Sequence, residues 1–308
     1  MPAPKPPSCL SCGSTDAEVW ATAKDLEYKT SDDVFTLHRC RACGVLFIDP
    51  VPRHRLAEIY PPNYYSFVEQ KSGLVNSVKE FLDGRFFGKI FRSLPGETLN
   101  ALDVGGGSGW QLNVLRKIEP RIALTQVVDI DPNAAGLARS NGHEYFCGKI
   151  EDFQTDKKFD LVLLLNLIEH VENPFAVLSK IRELLSPTGC ILIKTPNYDA
   201  LDARMFRNAN WGGYHCPRHW VIFTRPSFTD LTLRAGLKVR SCSFTQGAPF
   251  WTTSVLFWLD KKGIASVTRS RPAMYHPLFY PLAGLFAAFD FARKPFSKTS
   301  QMFFVLGR

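Results

Sequence analysis

The run LDVGGGSGW, Leu102 to Trp110, sets four glycines within five positions directly after the apolar stretch that begins at Leu99. Without a Cβ, the backbone can be approached closely by a ligand where a strand hands over to a helix N-terminus. Several nucleotides are held by such turns, and the flanking residues discriminate among them. A nucleoside-triphosphate loop needs Gly-Lys-Ser/Thr starting five residues after its first glycine. A dinucleotide loop needs a glycine or similarly small residue at its sixth position, where helix and strand pack closely. Counted from Gly105, both requirements fall on Trp110 and fail. What remains is Asp103 at the strand end, followed by Gly105, Gly107 and Gly109 at alternate positions.

Around this turn the chain alternates short apolar runs with amphipathic stretches. Strands are expected at Leu99–Val104, Leu124–Asp129, near Tyr145, at Phe159–Asn166, Cys190–Lys194 and Leu237–Phe244, with a closing strand at Met302–Leu306. Helices are expected at Gly109–Ile118, Pro132–Arg139, Pro174–Leu185 and Ser227–Ala235. That alternation predicts an α/β fold, a doubly wound parallel sheet covered on both faces. With 308 residues, 45% of them hydrophobic, the chain can bury one large core beside a smaller module. A further helix is expected where Leu74, Val75, Val78, Phe81, Leu82, Phe86, Ile90 and Phe91 recur at helical spacing.

Asp103-x-Gly105-x-Gly107-x-Gly109 resembles motif I of the class I S-adenosylmethionine-dependent methyltransferases. The ligand suits the residues: its methionine part carries an ammonium and a carboxylate in place of a pyrophosphate. In VVDIDP, Asp129 ends the second strand, where an acidic side chain can accept both ribose hydroxyls. Asp152 in GKIEDF matches the family position that hydrogen-bonds the adenine amino group. FDLVLLLNLIEHVENP, which contains Asn166, and LLSPTGCILIKTPN resemble the family's fourth strand with its helix and the fifth strand. The resemblance covers about residues 97–245. It implies a Rossmann-like seven-stranded sheet with an antiparallel last strand. S-adenosylmethionine (SAM) is the implied cofactor, bound by Asp103, Gly105, Gly107, Gly109, Asp129, Asp152 and Asn166.

Cys9-x-x-Cys12-Gly13 and Cys40-x-x-Cys43-Gly44 repeat one knuckle, and two such knuckles complete a tetrahedral S4 site for structural Zn2+ with no open position for chemistry. Three sections follow: a zinc-ribbon module over residues 1–52, a helical linker or lid over 53–96, and a methyltransferase domain over 97–308. Within the last lie a substrate loop (197–225) and an apolar helical insertion (246–300). Similar cysteine-bearing modules precede the methyltransferase domain in many bacterial small-molecule and sugar methyltransferases.

Methyl transfer from a sulfonium is an in-line displacement, so the enzyme must position a nucleophile and remove a hydroxyl proton. His170, in the "EH" after the fourth strand, and His215 and His219, in NANWGGYHCPRHWVIFT, are the candidate catalytic residues. The second loop resembles an "HxxxHW" element of members tied to surface-polysaccharide and lipid-linked glycan pathways; Tyr214, Arg218 and Trp220 are its expected substrate contacts, with Arg218 taking an anionic group. A metal site from His215, Cys216 and His219 is disfavoured for want of a fourth ligand. From Leu201 onward, 15 Lys or Arg face 4 Asp or Glu, which points to an anionic substrate or surface. The expected activity is O-methylation of a small molecule, a glycan or a lipid-linked intermediate. Two rivals stay open: an RNA methyltransferase, though no NPPY-type element for a flipped base follows the fourth strand, and an inactive SAM-binding regulatory subunit. The proline-rich start has no apolar signal region, so a cytoplasmic protein is expected. The two apolar stretches of 246–300 leave open a peripheral contact at the inner membrane face, a lid, or a homodimer contact.

Overall fold

The structure is a computed structural model that describes residues 6–64 and 87–308. Its N-terminal part forms strands β1 (Ala17–Ala23), β2 (Phe35–Cys40) and β3 (Leu46–Asp49), followed by the short helix α1 (Leu56–Ile59). Of the helix expected across Leu74 to Phe91, residues 87–91 are helical. Leu74, Val75, Val78, Phe81, Leu82 and Phe86, and with them most of the linker or lid, lie outside the described residues.

The second part runs β4 (Leu99–Val104), α2 (Trp110–Ile118), β5 (Ile122–Asp129), α3 (Ala134–Ser140), β6 (Glu144–Cys147), β7 (Phe159–Leu165), α4 (Pro174–Leu184) and β8 (Leu185–Pro196). After it come α5 (Leu201–Met205), β9 (Val221–Ile222), α6 (Arg225–Arg234), β10 (Lys238–Thr245), α7 (Ala248–Lys261), α8 (Phe279–Arg293) and β11 (Gln301–Gly307). Seven strands form one sheet in the order β10-β11-β8-β7-β4-β5-β6. β4 lies parallel to β5 and β7, while β11 is antiparallel to both β8 and β10. This is the doubly wound, Rossmann-like sheet with an antiparallel final strand.

Local sequence explains the elements. β7 is apolar on six of its seven residues and β4 on four of its six, because helices cover both faces of a parallel sheet. α4 starts where the Asn173 side chain accepts from the Ala176 amide and Pro174 fills the first turn. α6 starts on a reciprocal capping box between Thr224 and Ser227.

The cysteine module is not a free-standing unit. β9, within the expected substrate loop, pairs with β3 through Leu46–Ile222 and Phe47–Val221, giving a second sheet of order β1-β2-β3-β9. One continuous core joins Cys9, Cys40, Val45 and Phe47 to Val221, Phe223, Phe228 and the β8 residues Ile191 and Ile193. Residue 52 therefore marks a change in composition and not an end of packing. Two residues of β9 were too short a run to read as a strand from sequence.

Phe228 on α6 sits between Phe223 and Phe304, with ring centroids 5.0 and 4.6 Å away, so it fastens this junction to the main sheet. Phe228→Ala should cost about 3–5 kcal/mol, read as a lowered midpoint in urea unfolding with little change in slope.

Candidate active site and cysteine cluster

Gly105, Gly107 and Gly109 take φ values of +74°, +52° and +76°, which L side chains rarely adopt. A Cβ on Gly109 would stand 2.3 Å from the His143 ring, and one on Gly106 would stand 2.6 Å from the Asp103 carboxyl group. Asp129, at the end of β5, accepts the Gly107 amide at 2.8 Å and the Asp131 amide at 3.0 Å. One carboxylate thus clips the glycine turn to the neighbouring strand. Burial, reinforced by the Asp129 charge, pushes Asp103 up to about 8, and burial also raises Asp129. Two like-charged carboxyls converging on a bare backbone favour a ligand that brings a cation and hydroxyl donors. Asp152 is exposed in the turn after β6. Asn166 has φ +56°, and its amide oxygen accepts from Gln301 at 3.0 Å. Leu167 closes over Gly105, which brings the next turn, Ile168–His170, to the same edge of the sheet.

At that edge three imidazoles meet. Ring centroids are 4.7 Å apart for His170 and His219, 5.0 Å for His215 and His219, and 6.2 Å for His170 and His215. Backbone carbonyls fix two of them: His219 Nδ1 donates to Gly213 at 2.8 Å and His170 Nδ1 to Arg218 at 3.1 Å. Burial holds His170 down to about 3, with the His215 charge adding to the shift, and holds His219 well below the ordinary imidazole range. Both are therefore neutral near pH 7. His215 differs: its Nδ1 donates to Glu27 at 2.6 Å, and its Nε2 lies 3.2 Å from the Tyr64 hydroxyl. It also takes the left-handed φ of +38°, a strained setting that its partners maintain. The structure thus brings His170, His215 and His219 together.

The expected substrate contacts are placed otherwise. Arg218 is fully buried and paired with Asp25 through 2.9 and 3.3 Å hydrogen bonds, and its guanidinium lies 4.5 Å from the Tyr28 ring. Its anion is supplied by the chain itself. Tyr214 is buried, accepts from Trp20 Nε1 at 3.0 Å and donates to the Arg207 carbonyl. Trp220 is buried, with Nε1 donating to the Pro217 carbonyl. All three organise the loop from behind and present no open polar face.

Asp25, Glu27, Tyr60 and Tyr64 reach this site from the N-terminal part without any motif to announce them. Glu169 is likewise new. It is fully buried, neither carboxyl oxygen meets hydrogen-bond geometry with a partner among the described residues, and burial raises it to about 8. One ligand atom from each of Glu169, His170 and His219 lies within 4.8 Å of the others, whereas Cys216 packs among Trp211 and Trp220.

The four N-terminal thiols also gather as the spacing predicts. Cys9 and Cys43 lie 3.6 Å apart, as do Cys12 and Cys40, and all four sulfurs lie within 4.8 Å. A tetrahedron with metal–sulfur bonds of about 2.3 Å has edges of about 3.8 Å, so the donor set fits such an ion. The knuckles match in backbone as well: Gly13 donates to the Cys9 carbonyl and Gly44 to that of Cys40, with φ of +76° and +71°. Burial raises Cys12 to about 11 and, with the Cys9 hydrogen bond, pushes Cys43 upward too.

A family profile described as a methyltransferase domain matches residues 78–242. The chain belongs to this methyltransferase family. Among curated relatives, the ubiquinone biosynthesis O-methyltransferase of Rhodopseudomonas palustris (strain BisB5) is 31% identical over 107 residues, 32% of this chain and 40% of that protein. The corresponding protein of Bradyrhizobium sp. (strain ORS 278) is 30% identical over the same length. The chain thus spans less than half the length of these relatives. Among solved structures, the plantazolicin methyltransferase BamL, determined with a triazolic desmethylPZN analog and SAH, has a TM-score of 0.50 at 16% identity, covering 76% of this chain and 85% of its own. Coclaurine N-methyltransferase, bound to N-methylheliamine and SAH, scores 0.50 at 14% identity over 83% and 81%. At these identities the likeness shows the shared fold.

The unliganded protein should lose stability as pH rises from about 6.5 to about 8. In that window Asp103 and Glu169 still hold protons in the folded chain that they lose when unfolded, so a rise in pH favours unfolding. His170, held below its ordinary 6.5, acts in the opposite sense only below that value. Asp103→Asn should flatten the decline of the urea midpoint across the window.

Proposed function

We propose that the protein is a SAM-dependent O-methyltransferase whose general base is His215, oriented by Glu27. The observation that carries this reading is the 2.6 Å contact from Glu27 to His215 Nδ1, which leaves Nε2 turned to a hydroxyl. A carboxylate on one imidazole nitrogen selects the tautomer whose other nitrogen accepts a proton. The Tyr64 hydroxyl marks where an acceptor hydroxyl would give its proton to Nε2. Neutral His170 and His219 line the same edge without adding charge. When bound, SAM supplies an electrophilic methyl group on a sulfonium. Asp129 is placed for its ribose hydroxyls, Asp103 and the glycine turn for its methionine end, and Asp152 and Asn166 complete the proposed binding set.

The names of the curated relatives support oxygen as the acceptor atom. A small molecule or glycan, free or carried on a lipid, is the proposed acceptor class. We read the Cys9, Cys12, Cys40 and Cys43 cluster as a structural zinc site that holds the module carrying Glu27.

His215→Ala should lower kcat by about 100-fold or more while SAM affinity by calorimetry stays unchanged. Glu27→Gln should lower kcat and shift its pH profile without altering SAM binding. Unchanged turnover of the His215 variant would overturn the base assignment. SAM binding with no methyl transfer to any fraction of a native extract would favour the regulatory-subunit reading. Separately, the purified protein should contain one zinc per chain by metal analysis, and Cys40→Ser should lose it together with several degrees of melting temperature.

A further inference from the structure

Among the described residues, nothing packs over the apolar outer face of α8. From Leu278 to Ala292 the sole charged residue is Asp290, and that carboxylate is buried, accepting from the Gly247 amide, Trp251 Nε1 and Arg293. What faces outward includes Tyr280, Leu285 and Phe291, exposed by 75%, 63% and 81%, with Phe296 just beyond at 90%. Single exposed apolar residues are ordinary, whereas a whole helix face of them marks a contact surface. Its surroundings are cationic: between residues 261 and 300 stand seven Lys or Arg against Asp290 alone, and although Arg293 is taken up by Asp290 and Lys298 by Asp199, Lys261, Lys262, Arg269, Arg271 and Lys294 are exposed.

We propose that α8 lies flat on an anionic lipid surface, with Tyr280, Leu285, Phe291 and Phe296 entering the acyl boundary and the flanking cations meeting headgroups. Its 15 residues span about 22 Å along the surface. Among the described residues no helix is long and apolar enough to cross a membrane, so the helix lies on the layer. Protruding rings at this exposure suit a fluid layer that closes around them, and the one-signed charge at the rim gives such a layer its negative partner.

The contact would reach the active site mechanically. α7 packs against α8 through Trp251 stacked on Phe286, and Ser254 on α7 accepts the Gly212 amide in the turn that leads to His215. Lys29, close in sequence to Glu27, pairs with Asp260 at the end of α7. Docking α8 would therefore hold the histidine edge near the lipid surface and favour a lipid-linked acceptor. That acceptor class rests on the methyltransferase reading, whereas the lipid contact does not.

Co-sedimentation of the full chain with vesicles of phosphatidylcholine, alone and mixed with phosphatidylglycerol, tests the contact without any turnover. Binding should favour the anionic vesicles, weaken with added salt, and fall at least about tenfold in the Phe291→Ser, Phe296→Ser double variant. These side chains are exposed, so the variant's melting temperature should match that of the wild type. Lys294→Glu should reduce the preference for anionic vesicles while leaving the fold intact. The proposal is overturned if the wild type binds neither vesicle, or if the double variant binds as well as the wild type. It is also overturned if the wild type ignores vesicles but sediments as a dimer that the double variant splits, which would assign the face to a second copy of the chain.

Discussion

The pairing of Arg218 with Asp25 underlies the arrangement of the active-site edge. Neither side chain is exposed at all, and a buried charge deprived of its partner costs about 3–5 kcal/mol. Such a pair need not add net stability over an apolar substitute, but it enforces one arrangement. The loop that carries His215 and His219 must sit where Arg218 reaches Asp25, between β1 and β2. Everything nearby then follows: Tyr28 lies against the guanidinium, the Arg218 carbonyl accepts a hydrogen bond from His170 Nδ1, and Glu27, two residues beyond Asp25, meets His215.

A short loop bearing Asp25, Glu27 and Tyr28 has little regular structure of its own between β1 and β2. It closes the β1–β2 hairpin at the end opposite the knuckles: Ala23 pairs with Phe35 beside the loop, whereas Ala17 pairs with Cys40, where the second knuckle begins. Tyr198, just after β8, donates to the carbonyl of Gly44 in that knuckle, so the cluster is also fastened to the end of a central strand. In the proposed reading a zinc ion held there performs no chemistry itself and steadies the strands at whose far end a carboxylate reaches the imidazole.

Sequence carried the central sheet because each part of it is a local pattern. The glycine turn, the mostly apolar runs of β4 and β7, and the caps of α4 and α6 are each readable within a few residues, and the alternation of elements then implies a parallel sheet. The cysteine pairs were legible for the same reason. Asp25, Glu27 and Tyr64 were not, since their meaning lies in partners 151 to 193 positions away, and no periodicity records so distant a contact. Arg218 shows the complementary difficulty. A cation in an aromatic, histidine-rich loop looks like a ligand contact until the carboxylate that neutralises it from another module is seen. Tyr214 and Trp220 were read as substrate contacts for the same reason, although their polar atoms meet partners within the chain.

The two-residue pairing of β9 with β3 bears on how such a chain could be inherited. Because the proposed base, His215, and its partner Glu27 stand on opposite sides of that junction, neither half is a portable unit. Recombination near residue 52 would exchange the cysteine module but strand Arg218 and His215 without Asp25 and Glu27. Descendants with altered acceptors are thus expected to vary the two segments jointly, or to change the outer helices while leaving the pair untouched.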